Sequence, residues 1–183
     1  MATKAELFVA LRAARRAYNA DNQDAQARSL YDVVLALFGE LQLDKIKVDN
    51  ETTTLVNIFE DQMMSCQNLR DWTAMVGYAR EALRHNPKSS LAYYGLALAS
   101  RKLGRLDESR AAIEQSIELD PNGGPNHWEY ACLLVQLGHL AEAARHAQES
   151  IENGMEWDGL WNDEELAALH DVASFRAYID ALR

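Results

Sequence analysis

Residues 123–147, GGPNHWEYACLLVQLGHLAEAARHA, gather His127, Cys132, His139 and His146 with Glu129 and Glu142. Such side chains ligate divalent metals or carry nucleophilic and acid-base chemistry. Their spacing is less promising than their identity. Cys132 follows His127 by five positions, a different helix face at 100° per residue. His139, Glu142 and His146, at i, i+3 and i+7, do share a face. With no fourth ligand in register that trio reads as a solvated helix surface, so no metal or other cofactor is expected. Cys66 and Cys132 lack a basic partner at helical spacing, and no GxSxG, HExxH, GxxxxGKS/T or GxGxxG run occurs. Enzymatic activity is therefore not expected.

The elements that would position these residues are helices. Three prolines and nine glycines in 183 residues leave little punctuation, and Ala, Leu, Glu, Gln and Arg abound. The cysteines show no metal or redox spacing and read as free thiols of a reducing compartment. Near the start, the apolar run Leu7–Leu11 is followed at once by Arg12, Arg15 and Arg16, too short and too charged for a signal peptide or membrane span. A cytoplasmic protein without membrane attachment is expected. The net charge of -10 is concentrated in residues 150–183, with eight acidic and two basic side chains, which disfavours nucleic acid as a partner.

Self-comparison organises the middle of the chain. Gly104 and Gly138, Pro87 and Pro121, Leu103 and Leu137, and Leu106 and Leu140 all stand 34 residues apart. A weaker copy lies upstream, where Arg70 takes the place of the glycine and Trp72 that of Leu106. A 34-residue period built from two helices is a repeat signature. Small residues such as Ala97, Ala131 and Ala143 let paired helices approach, glycine allows the tight turn between them, and proline stops the second helix.

These residues resemble the tetratricopeptide repeat family, in its bacterial form. Three units are assigned at 56–89 (degenerate), 90–123 and 124–157. The resemblance implies an all-α fold: a right-handed superhelical solenoid of helix-turn-helix repeats, residues 50–157, within one structural domain. Residues 1–49 are expected as a helical hairpin packed on the solenoid, with a Thr3–Glu6 capping box and a face of Leu7, Leu11, Ala14 and Tyr18. Its second helix is expected to present Leu30, Val34, Leu37 and Leu41, with Tyr31, Leu35 and Phe38 beside them so that it packs on two sides, and DKIKVDN, residues 44–50, to act as a linker. Residues 158–183 are expected to be capping helices, opened by an Asn162–Glu165 capping box and resembling the closing segment of many bacterial members.

Members of this family hold protein partners in a concave groove lined by the first helix of each unit. Carried onto this sequence, the groove comprises Asn57, Glu60, Asp61, Met64, Asn68, Tyr94, Leu98, Arg101, Lys102, Trp128, Glu129, Cys132 and Gln136. Some members clamp a terminal carboxylate with lysine, asparagine and arginine; the corresponding positions here are Glu60, Met64, Gly95, Pro125 and Glu129, so that clamp is absent. The implied function is a non-enzymatic adaptor binding a peptide or helix, with Tyr94 and Trp128 as apolar anchors. A secretion-type chaperone and a homo-oligomeric scaffold are the alternatives. In this register His127 packs inward, and His139 and His146 face solvent.

Overall fold

The computed structural model describes residues 2–20, 25–48 and 51–183. They divide into two compact units, Met1–Gly95 and Leu96–Arg183.

In the first unit, α1 (Lys4–Ala20) and α2 (Ala25–Glu40) form an antiparallel hairpin. Thr3 Oγ1 accepts from the Glu6 amide at 3.2 Å while Glu6 accepts from the Thr3 amide at 2.7 Å, closing the expected capping box. Leu7, Leu11 and Ala14 are fully buried; the side chain of Tyr18 lies outside those described. The deepest stripe of α2 is Tyr31, Val34 and Phe38, whereas the expected Leu30, Leu37 and Leu41 pack only partly buried beside it. The larger aromatic rings take the deeper positions, in one buried cluster with Leu7, Leu11 and Ala14 of α1 and with Ile58.

Lys45–Val48 is not a linker but β1, paired antiparallel with β2 (Glu51–Thr54) in the register Ile46 to Thr53; Asp49 and Asn50 lie outside the described residues. K-I-K-V alternates polar and β-branched residues, with Ile46 buried on the α1–α2 core and the lysines facing out. Thr54 then caps α3 (Leu55–Asn68) through a reciprocal capping box with Asn57. Asp71 caps α4 (Trp72–His85) by accepting from the Ala74 amide at 3.1 Å.

The repeat period is visible in the helix starts. The second helices α4, α6 (Leu106–Leu119) and α8 (Leu140–Glu152) begin at Trp72, Leu106 and Leu140, and the first helices α5 (Ser90–Lys102) and α7 (Gly124–Gln136) keep the same offset. Residues just before the second helices adopt the left-handed conformation: Gly104 at φ 75, Gly138 at φ 80 and Arg70 at φ 56.

In the second unit α7 and α8 pack closely over Ala131, Ala143 and Ala147, all at 0% exposure. Past α8 come α9 (Trp157–Trp161), a 3-10 helix (Glu164–Asp171) and α10 (Ala173–Leu182). Leu160, Leu166, Leu169, Phe175 and Ile179 are fully buried as this segment packs on α7 and α8. The cap at its centre is Asp163 rather than Asn162. Asp163 accepts from the Glu165 amide at 2.9 Å, because Asn162 already ends α9 and donates its side chain back to the Asp158 carbonyl at 2.8 Å.

Candidate partner cleft and a histidine-carboxylate cluster

The repeat turns place the candidate residues in two groups. In the first unit several of the groove positions are engaged from within. Tyr31 of α2 donates to Asp61 at 2.9 Å, and Ser89 donates to Glu60 at 2.6 Å. Burial pushes the Asp61 carboxyl up, with the Tyr31 hydrogen bond opposing it. Met64, Asn68 and Tyr94 are half-buried. Asn57 and Glu60 also border an opening of ≈ 650 Å³ beside β1, shared with Lys45, Arg84 and His85.

In the second unit an open cleft of ≈ 320 Å³ is lined by Arg101, Lys102, Cys132, Val135, Gln136 and Glu165. Four of these six are groove positions read from the repeat register. Arg101 is 5% exposed and is held by carboxylates on two elements. Its Nε and Nη2 donate to Glu129 at 2.6 and 2.9 Å, and Nη1 donates to Glu165 at 2.8 Å. Lys102 Nζ reaches the same Glu165 at 2.7 Å. Hydrogen bonding from Arg101 first, and from Lys102, pulls the Glu165 carboxyl down to about 2. Burial pushes the Glu129 carboxyl up, and the bidentate guanidinium opposes it. The arginine is thus a neutralised strut, leaving Lys102, Gln136 and Glu165 as the exposed polar groups of the cleft wall. Leu98 is buried. Trp128 is half-buried; its indole donates to Asp163 at 2.8 Å and lies against Gly159.

Glu165 is the residue of the candidate cleft that the repeat register does not reveal. It lies 63 residues from Lys102, outside any repeat, and only the acid excess of the closing segment hints at it.

The histidines also regroup. His139 and Glu142 are exposed, but His146 is 8% exposed and turned inward, against the expected solvated face. The α7–α8 contact leaves room for an aromatic ring where small Ala143 and Ala147 flank it, and His146 packs against the rings of Tyr130 and His127. Its Nδ1 lies 3.0 Å from Nδ1 of His127 and 2.9 Å from a Glu149 oxygen, which is itself 3.1 Å from His127 Nδ1. Burial pulls the His146 imidazole down, towards the neutral form. Cys66 and Cys132 are buried, and burial pushes both thiols up, Cys66 to about 11, which makes them poor nucleophiles at neutral pH.

Antiparallel helix pairs recurring every 34 residues, with a left-handed residue before each second helix, give the chain a fold like that of tetratricopeptide-repeat solenoids. Residues 90–122 match the tetratricopeptide repeat profile. No curated protein matches the chain by sequence. Among solved structures it is similar to MamA of AMB-1, at 22% identity over 79% of this chain and 77% of that one, with a TM-score of 0.61. It is also similar to TTC0263 of Thermus thermophilus, a thermophilic TPR protein, at 16% identity over 88% and 79% of the two chains, TM-score 0.62. YrrB, described as a TPR protein with an unusual peptide-binding site, matches at 17% identity over 89% and 82%, TM-score 0.52. At these identities the likeness is one of fold. No helix among the described residues is long and apolar enough to cross a membrane.

Proposed function

We propose that the chain is a non-enzymatic adaptor that holds a segment of a protein partner on the first-helix face of its repeats. The observation that carries this reading is the second-unit cleft: Arg101, Lys102, Cys132 and Gln136, assigned to a partner surface by the family resemblance, line one opening. Side chains fixed on packed helices, with Arg101 braced by two carboxylates, present a preformed surface that loses little freedom on binding. Lys102 and Gln136 offer hydrogen bonds to a peptide backbone or an acidic side chain, and Val135 offers an apolar contact. The peptide-binding site named for YrrB supports the same use of the fold. Trp128 acts as a wall braced by Asp163 rather than as a free anchor.

The test is site-specific photocrosslinking in the native cell. Benzoylphenylalanine placed at Gln136 is expected to trap one defined protein, and the same group at exposed Glu118 on α6 is expected not to. Trapping of the same protein from both positions, or of none from Gln136 while the chain remains helical, rules out this cleft as the partner surface.

A further inference from the structure

The cluster of His127, His146 and Glu149 lies apart from the partner cleft and plays no part in the adaptor reading. Its geometry poses an electrostatic problem. His127 Nε2 lies 2.9 Å from the Pro121 carbonyl oxygen, which can only accept, so Nε2 carries the proton. In a neutral imidazole, Nδ1 of His127 is then a bare lone pair. That lone pair faces a carboxylate oxygen of Glu149 at 3.1 Å, and Nδ1 of His146 is 3.0 Å from the first and 2.9 Å from the second. With Nδ1 of His146 as the donor, its one proton serves two acceptors, His127 Nδ1 and the Glu149 oxygen, which face each other at 3.1 Å. Two lone pairs at that distance repel unless a cation, a second proton or a metal ion, sits among them.

The dimensions suit a metal. Bonds of about 2.0–2.1 Å to nitrogen and oxygen in a tetrahedral set put the ligand atoms about 3.3 Å apart, a few tenths of an ångström beyond the sides of this triangle. Two imidazoles and one carboxylate form a borderline-soft N2O donor set suited to Zn2+ and its first-row neighbours, not to Ca2+ or Mg2+. His127 and His146 are buried, and the half-exposed Glu149 opens the cluster to solvent, which gives an ion a way in and leaves room for water. The Pro121 carbonyl fixes the tautomer and orientation of His127, as an outer-shell partner of a metal-bound histidine does. Arg145 lies 3.5 Å from Nε2 of His146; its side chain is 61% exposed and can swing away when that nitrogen carries the proton.

We propose that His127, His146 and Glu149 bind one divalent first-row metal ion of the Zn2+ class, through both Nδ1 atoms and a Glu149 oxygen, with water completing the set. The ion would staple α7 to α8 within one repeat and couple that hairpin's stability to metal concentration.

The test uses the full chain without a histidine tag, stripped with chelator and titrated with ZnCl2 by calorimetry. Thermal unfolding and the visible absorption of the Co2+-loaded protein are followed in parallel. One equivalent of Zn2+ should bind, raise Tm, and give Co2+ the intense bands of a four-coordinate ion. Glu149→Gln and His146→Gln should each weaken binding by at least about tenfold. His139→Ala, at the exposed residue just before α8, and Glu142→Gln, exposed on α8, should leave it unchanged. Saturating Zn2+ that neither binds nor shifts Tm overturns the proposal, as does binding that survives in Glu149→Gln, a half-exposed substitution whose folding does not depend on the metal. Binding lost in the His139 or Glu142 variant would move the metal to the surface and overturn it equally.

Discussion

Arg70 achieves with a side chain what Gly104 and Gly138 achieve without one. At φ 56 it adopts the left-handed backbone of the other repeat turns, where a Cβ costs about 1–2 kcal/mol and glycine is unstrained. Arg70→Gly is therefore expected to stabilise the first unit by about 1 kcal/mol in urea unfolding; a loss of stability would show that the arginine side chain makes contacts that outweigh its backbone strain. The turn position itself was legible in the sequence, because Arg70 stands 34 residues before a repeat glycine, although the residue type argued against it. His146 was not legible in the same way. Its i, i+7 relation to His139 was visible, but its ring turns toward His127 through a contact between two helices that no spacing within one helix encodes.

At the scale of elements, the α7–α8 hairpin depends on a close approach at its open end. Ser150 donates to the Gly124 carbonyl at 2.8 Å, and a Cβ on Gly124 would stand 3.0 Å from the Asn153 carbonyl oxygen and 2.9 Å from Met155 Cγ. Backbone cannot yield as a flexible side chain does. Gly124→Ala is expected to destabilise the second unit by about 1–2 kcal/mol, the overpacking cost exceeding the gain in helix propensity. An unchanged urea midpoint would show that the helix ends slide apart freely. Helices were the readable elements, since periodic leucine and alanine faces bury as their spacing dictates. The β-hairpin was not: K-I-K-V is four residues long, and its pairing with E-T-T-T is settled by Ile46 reaching the α1–α2 core.

For the molecule as a whole, charge decides how the second unit responds to acid. Glu165, on the 3-10 helix, faces Arg101 and Lys102 of α5, with Glu129 of α7 on the far side of the guanidinium. Its carboxyl titrates near 2 in the folded chain against an ordinary 4.5, so its contribution to stability is complete above 4.5 and is lost as the pH falls towards 2. Glu165→Gln should lower Tm at neutral pH, and the gap to the parent chain should close across that acid window. The effect is smaller than for a buried pair, because Glu165 is 42% exposed. A gap independent of pH would mean that its packing, not its charge, matters. The repeat register assigned Arg101 and Lys102 to one face, and both border a cleft, but it did not show the carboxylate that arrives from the closing segment to pair with both.

The two cysteines were first of interest for what they cannot do. Each sits in a different compact unit, Cys66 at 0% exposure in the first and Cys132 at 3% in the second. A thiol so enclosed meets an aqueous reagent only when its own surroundings open. Cys66 is therefore a native clock, whose labelling rate times the breathing of the first unit without any engineered probe, whereas Cys132 borders the open cleft.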